Sequence, residues 1–224
     1  MKRILLLFIL PFVLQEKIVR ADTVITVPPS SAVQSNTSAD HSRVYQVNTA
    51  SANGWPGWYI NSIKIDSLVA YSIGGYAPSS DTFTLKIYNS SLNQIGSDYS
   101  ATAVSGFFAN PPLAGYNNYR GFSVTFALPN NDVQVAGSSS FYYSVRANSG
   151  TPNMWTGPSN SNYGAGWGTG NALAIIDGNT FSLGASTTAL TLDVTQVPEP
   201  SALSLLTIGL GGVVALRRCR RSAV

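Results

Sequence analysis

The chain is poor in the residues that do chemistry. It holds one cysteine and one histidine, and only 10% of its residues are charged. The cysteine, Cys219, lies close to the C-terminus, so residues 22–196 contain no disulfide, no thiol nucleophile and no cysteine metal ligand. The same 175 residues contain no glutamate and only five lysines and arginines. So few cations, spread over that length, exclude the basic groove that nucleic acid requires. A zinc site usually draws on several histidines or cysteines, and His41 stands alone beside Asp40. A serine triad would also need His41, and the sequence has no Gly-x-Ser-x-Gly elbow; the expectation is a solvated residue in a polar segment. The Gly-rich stretch Tyr71-Ser72-Ile73-Gly74-Gly75-Tyr76 lacks the lysine of a phosphate loop. No cofactor, no metal site and no catalytic residue is assigned.

Charge is unevenly placed. The net +3 is the sum of +3 in residues 1–21, +3 in residues 197–224 and −3 in the 175 residues between. The basic character therefore belongs to the ends and says nothing about a partner of the middle.

The N-terminal end reads Met1-Lys2-Arg3, then an apolar run over 4–14, then Val19-Arg20-Ala21. That order is the layout of a secretory signal, with Ala21 as the expected cleavage position. Eleven apolar residues are too few to span a bilayer, which takes about 20. The C-terminal end reads Val197-Pro198-Glu199-Pro200-Ser201, an apolar run over 202–216 (ALSLLTIGLGGVVAL), and the cluster Arg217, Arg218, Arg220 and Arg221 around Cys219. The prolines hold the chain extended, the apolar run suits a single transmembrane helix, and the arginines fix its end on the cytoplasmic side.

Residues 197–221 resemble the PEP-CTERM sorting signal of exopolysaccharide-producing Gram-negative bacteria. Pro198, Glu199 and Pro200 match its tripeptide, 202–216 its hydrophobic segment and 217–221 its basic end. The resemblance implies an exosortase-like membrane protease as partner. It also implies a membrane-anchored precursor, then release or transfer to the cell surface or extracellular matrix. Three regions follow: a signal peptide over 1–21, a folded domain over 22–196 and a sorting tail over 197–224.

Alternation of apolar and polar residues dominates the middle region. Phe83, Leu85 and Ile87 alternate with polar neighbours, as do Phe122, Val124, Phe126 and Leu128. Phe141, Tyr143 and Val145 do the same, and so do Leu190, Leu192 and Val194. Ile63 and Ile65, then Val69, Tyr71 and Ile73, suggest a long strand or a pair with a phase break near Ser67. Weaker strands are expected over 23–27, 43–47, 94–99 and 172–176. Clusters of Pro, Gly, Asn and Ser separate these segments. The expected fold is all-β: an antiparallel two-sheet β-sandwich, jelly-roll-like, with a barrel as the alternative. Residues 151–170 read as a long Gly-rich loop. The runs DTFTLKIYNSSLNQIGS and VQVAGSSSFYYSVRA, followed by the Trp155 to Trp167 segment, are similar to choice-of-anchor β-sandwich domains of bacterial surface proteins. That resemblance implies a fold and a surface setting, with no activity.

Three functional expectations result. The first is a non-catalytic structural or adhesive protein. The second is a carbohydrate-binding module for exopolysaccharide, in which Trp155, Trp167, Trp55, Trp58 and Tyr163 offer ring faces to sugars. Rings that fill the core are its competing explanation. The third is an Asp-dependent hydrolase, which needs two carboxylates at a defined separation. The eight aspartates of residues 22–196 fall mostly at turns. Two Asn- and Asp-rich segments, 130–132 and 177–179, have oxygen donors that suit calcium; neither forms an EF-hand pattern, and a turn is the favoured reading of both.

Overall fold

The computed structural model describes residues 22–27, 34–36, 41–53, 56–71, 82–105, 119–129, 131–148, 153–157, 163, 166–184 and 187–197. Their regular elements are all strands: β1 (Asp22–Val27), β2 (Gln34–Asn36), β3 (Arg43–Asn48), β4 (Trp58–Tyr71), β5 (Thr82–Tyr88), β6 (Gln94–Thr102), β7 (Val104–Ser105), β8 (Tyr119–Ala127), β9 (Gln134–Val135), β10 (Ser140–Ala147), β11 (Asn153–Gly157), β12 (Gly168–Ile176), β13 (Asn179–Ser182), β14 (Thr187–Thr188) and β15 (Leu190–Gln196).

They form two sheets. A nine-stranded sheet runs β1-β15-β4-β11-β14, with β8 and β9 also on β4, β2 on β11 and β7 on β8. A six-stranded sheet runs β13-β12-β3-β10-β5-β6. Every pairing described is antiparallel. The all-β, two-sheet expectation therefore holds.

Alternation explains which side chains face inward. In β5, Phe83, Leu85 and Ile87 are buried while the residues between them are partly exposed. The long strand β4 cannot keep one phase over its length. Trp58 and Ile60 are buried, then Ile63 and Ile65, then Leu68. Two register irregularities reconcile these phases. One lies opposite Asp193/Val194 and the other between Ile65 and Leu68. Each bulge adds a residue and returns the apolar set to the core face. The second is the phase break expected near Ser67.

Both sheets contribute to one core, in which Tyr45, Phe83, Phe126, Phe141, Tyr143 and Trp167 are the bulkiest fully buried side chains together with several Ile and Leu residues. Burying a side chain of the Leu or Phe kind contributes roughly 1.5–3 kcal/mol, so this packing dominates the fold's stability. Asp22–Val197 forms one compact unit and contains every buried core residue described.

Two expectations are corrected. Residues 151–170 are not one loop: they include β11 and the start of β12, and Trp167 is driven into the core by its apolar area. His41 is not solvated but buried, at 9% exposure, because it packs against Ser144 on β10. The expected signal helix over 1–21 and the membrane helix over 202–216 lie outside the described residues. Among the described residues, no helix is long and apolar enough to cross a membrane.

Candidate functional site

The aromatic residues singled out for sugar binding are placed differently from one another. Trp58 opens β4, and its indole N–H donates to the Ala50 carbonyl at 3.2 Å. Trp167 immediately precedes β12 and is 1% exposed. The two rings meet edge to face, with centroids 5.4 Å apart at 65°. Such pairs gain from the opposed charge of ring edge and ring face. With Trp58 only 8% exposed, neither ring offers a free face to a sugar. Tyr163 packs partly buried against the same core, and its backbone N–H donates to the Trp167 carbonyl at 2.8 Å. Trp155 lies on β11, opposite Gln34 of β2. Trp55 lies outside the described residues.

Gly57 makes the close approach beside this pair possible. Its φ is +152°, and a Cβ there would stand 2.1 Å from the Val135 carbonyl oxygen. Only glycine lets β4 start this near to β9.

The polar candidates are dispersed, and each has a structural neighbour. His41 Nδ1 lies 2.7 Å from Ser144 Oγ, and Tyr88 Oη lies 3.4 Å from the same oxygen. Ser144 is fully buried, so its hydroxyl is out of reach of a substrate. Asp66 accepts from Thr191 at 2.8 Å and pairs with Lys64 at 2.5 Å. Asp193 accepts from Asn61 at 3.2 Å. Asp98 lies 3.5 Å from Lys86, and a hydrogen bond from the Gln94 side chain, followed by the Lys86 charge, holds its carboxyl below the usual carboxylate range. Asp132 accepts from the buried Tyr99 hydroxyl. Burial, and then that bond, push the Tyr99 phenol up to about 12.

Among the described residues, no group of three or more His, Cys, Asp or Glu side chains is arranged to hold a metal ion. At the two calcium candidates, the Asp132 carboxylate is engaged by Tyr99, while Asp177 and Gly178 form the two-residue loop between β12 and β13. Their φ values are +51° and +77°. Asp-Gly is the favoured pair for that left-handed turn.

The final strand leads directly into the C-terminal signal. The Gln196 side chain donates to the Ala52 carbonyl at 2.7 Å, and the Val197 N–H donates to the Gly57 carbonyl at 2.9 Å. Val197 is buried. Pro198 follows with no N–H to give, so it cannot extend the ladder as a donor. Pro198, Glu199, Pro200, Arg217, Arg218, Arg220, Arg221 and Ala21 all lie outside the described residues. Residues 196–221 match the family model of the PEP-CTERM protein-sorting motif. The chain carries a PEP-CTERM sorting signal. That signal indicates an exported protein that is processed by exosortase, a membrane enzyme of Gram-negative bacteria. The matched signal begins where the folded unit ends, at Gln196 and Val197. No curated protein matches the chain.

Proposed function

We propose that this PEP-CTERM protein acts, after export and exosortase processing, as a non-catalytic structural or adhesive protein at the cell surface or in the extracellular matrix. The sorting signal supports the route. The observation that supports the non-catalytic role is the use of the polar side chains. Asp66, Asp98, Asp132, Asp193 and His41 each engage a structural neighbour, at sites spread over both sheets. A hydrolase of the two-carboxylate kind needs a pair that converges on one substrate, and these residues are held to different partners. Exopolysaccharide binding is the second reading. With Trp58 and Trp167 facing each other in the core, it rests on Trp55 and Trp155.

The route is tested by scrambling Pro198–Pro200 in the producing cell. The account expects the variant to accumulate in the membrane as precursor, whereas normal surface delivery contradicts it. The role is tested by a glycan array probed with residues 22–197. No binding supports the structural reading. Binding that is abolished by Trp155→Ala or Trp55→Ala supports the carbohydrate reading instead.

A further inference from the structure

The six-stranded sheet has two edges of opposite character. At one edge, β6 carries an irregular register against β5, a left-handed Gly96 (φ +69°), and the exposed polar side chains Gln94, Ser97, Asp98, Ser100 and Thr102. Charge, a local kink and polarity are the usual guards against edge-to-edge pairing.

At the other edge, β13 has none of these guards. All four of its residues are exposed, and its outer side pairs with no strand among the described residues. Residues 168–184 contain a single charged side chain, Asp177, at the hairpin tip. Of the five large hydrophobic residues that stand exposed among the described residues, three lie here: Ile176 at 54%, Phe181 at 51% and Leu183 at 42%.

These three share one face. The register pairs Ile176 with Asn179 and Ala174 with Phe181, and the Leu183 N–H donates to the Ala172 carbonyl. Opposed residues of an antiparallel pair point the same way, as do residues two apart on a strand. Ala174, Ile176, Phe181 and Leu183 therefore continue the face on which Ala172, paired with Tyr45, is buried in the core. The inner face of the sheet runs on, apolar except for Asn179, to an edge left uncovered.

We propose that β13 is a self-association edge, where the domain joins a second copy of itself through antiparallel pairing of β13 with β13. An edge strand's free N–H and C=O groups are satisfied by another extended strand. A strand paired antiparallel with its own copy meets the two-fold symmetry of a homodimer. The pleat keeps both apolar stripes on the same face, so the two copies of Phe181 lie opposite each other or one step apart along that face. No charge in β13 opposes the approach. The six-stranded sheets join into one continuous sheet across the contact, and pairing consumes the edge, so the product is a closed dimer. The inference stands apart from the adhesive reading, since a dimer of this kind forms whatever the domain binds.

The test uses residues 22–197, which contain every core residue described. Sedimentation velocity from about 1 to about 500 μM is expected to show a concentration-dependent dimer. Phe181→Lys places a charge at the seam, and Thr180→Pro removes an N–H that faces away from β12 by the alternation of the ladder. Each is expected to weaken association at least about tenfold while the thermal transition stays within a few degrees. Ser97→Lys, on the guarded edge, is expected to change nothing. A monomer at all concentrations overturns the proposal. So does a dimer that survives both β13 variants, or one broken by Ser97→Lys.

Discussion

Trp167 and the β12–β13 hairpin place similar apolar material in opposite surroundings. Trp167 is flanked by Gly166 and Gly168 in a segment rich in Gly, Asn and Ser, yet its ring is buried edge to face against Trp58. The hairpin lies on a regular strand pair, yet Ile176, Phe181 and Leu183 stand in solvent. Local composition therefore points the wrong way at both places. What decides is whether the opposite sheet reaches over the residue. Where it does, even a ring in a Gly-rich segment joins the core. Where it does not, a residue on the inner face of a strand is left bare.

Substitutions at the two places test this contrast. The largest effect is expected at Trp167. Trp167→Ala removes a fully buried ring and its edge-to-face partner and should cost about 3–5 kcal/mol, read as a lower midpoint in urea. Next is Gly57→Ala, which drives a Cβ to 2.1 Å from the Val135 oxygen at a backbone angle side chains rarely adopt. A loss of about 2 kcal/mol or more is expected, with the β4–β9 contact disturbed first.

Tyr99→Phe comes third. It deletes the hydrogen bond to Asp132 at a cost of about 1 kcal/mol. The same residue gives a pH signature. Its folded phenol titrates near 12 against an ordinary value of 10.0, so the neutral form is the one the fold prefers. Tyr99 therefore supports stability fully below pH 10 and loses that support as pH rises toward 12. Urea midpoints should fall over that window, and fall less in Tyr99→Phe. The smallest effect is expected at the hairpin. Phe181→Ala should change the stability of the monomer by no more than about 1 kcal/mol, because the ring is half exposed already.

Much of the fold was legible in the sequence. The alternating runs around Phe83, Phe122, Phe141 and Leu190 correspond to β5, β8, β10 and β15. The broken phase in 63–73 marks a real irregularity in β4. Strands of two to four residues, such as β7, β9 and β14, are too short to carry a period. The β12–β13 hairpin did carry a signal: Asp177-Gly178 between Ile175-Ile176 and Asn179-Thr180-Phe181 is a two-residue hairpin loop. The same Asp-Gly-Asn turn is also an oxygen-rich loop, so composition alone does not separate a hairpin turn from a calcium site there.

The candidate site was legible only at the C-terminal end, where the tripeptide, apolar run and arginines act as a linear signal and need no fold to be read. Burial of Trp58, Trp167 and His41 is a tertiary outcome. It depends on β9, β10 and the chain near Ala50, all distant in sequence from at least one of them.

Amide hydrogen exchange on residues 22–197, followed at two protein concentrations, tests the contrast most directly. The account predicts slow exchange, set by global unfolding, for Ile63 and Tyr143 in the core strands β4 and β10 at both concentrations. It predicts fast exchange for Thr180 and Ser182 at low concentration and marked slowing of those two amides at high concentration. Equal protection of β13 and the core strands in the dilute protein would show that the hairpin is covered within one molecule, and would contradict it.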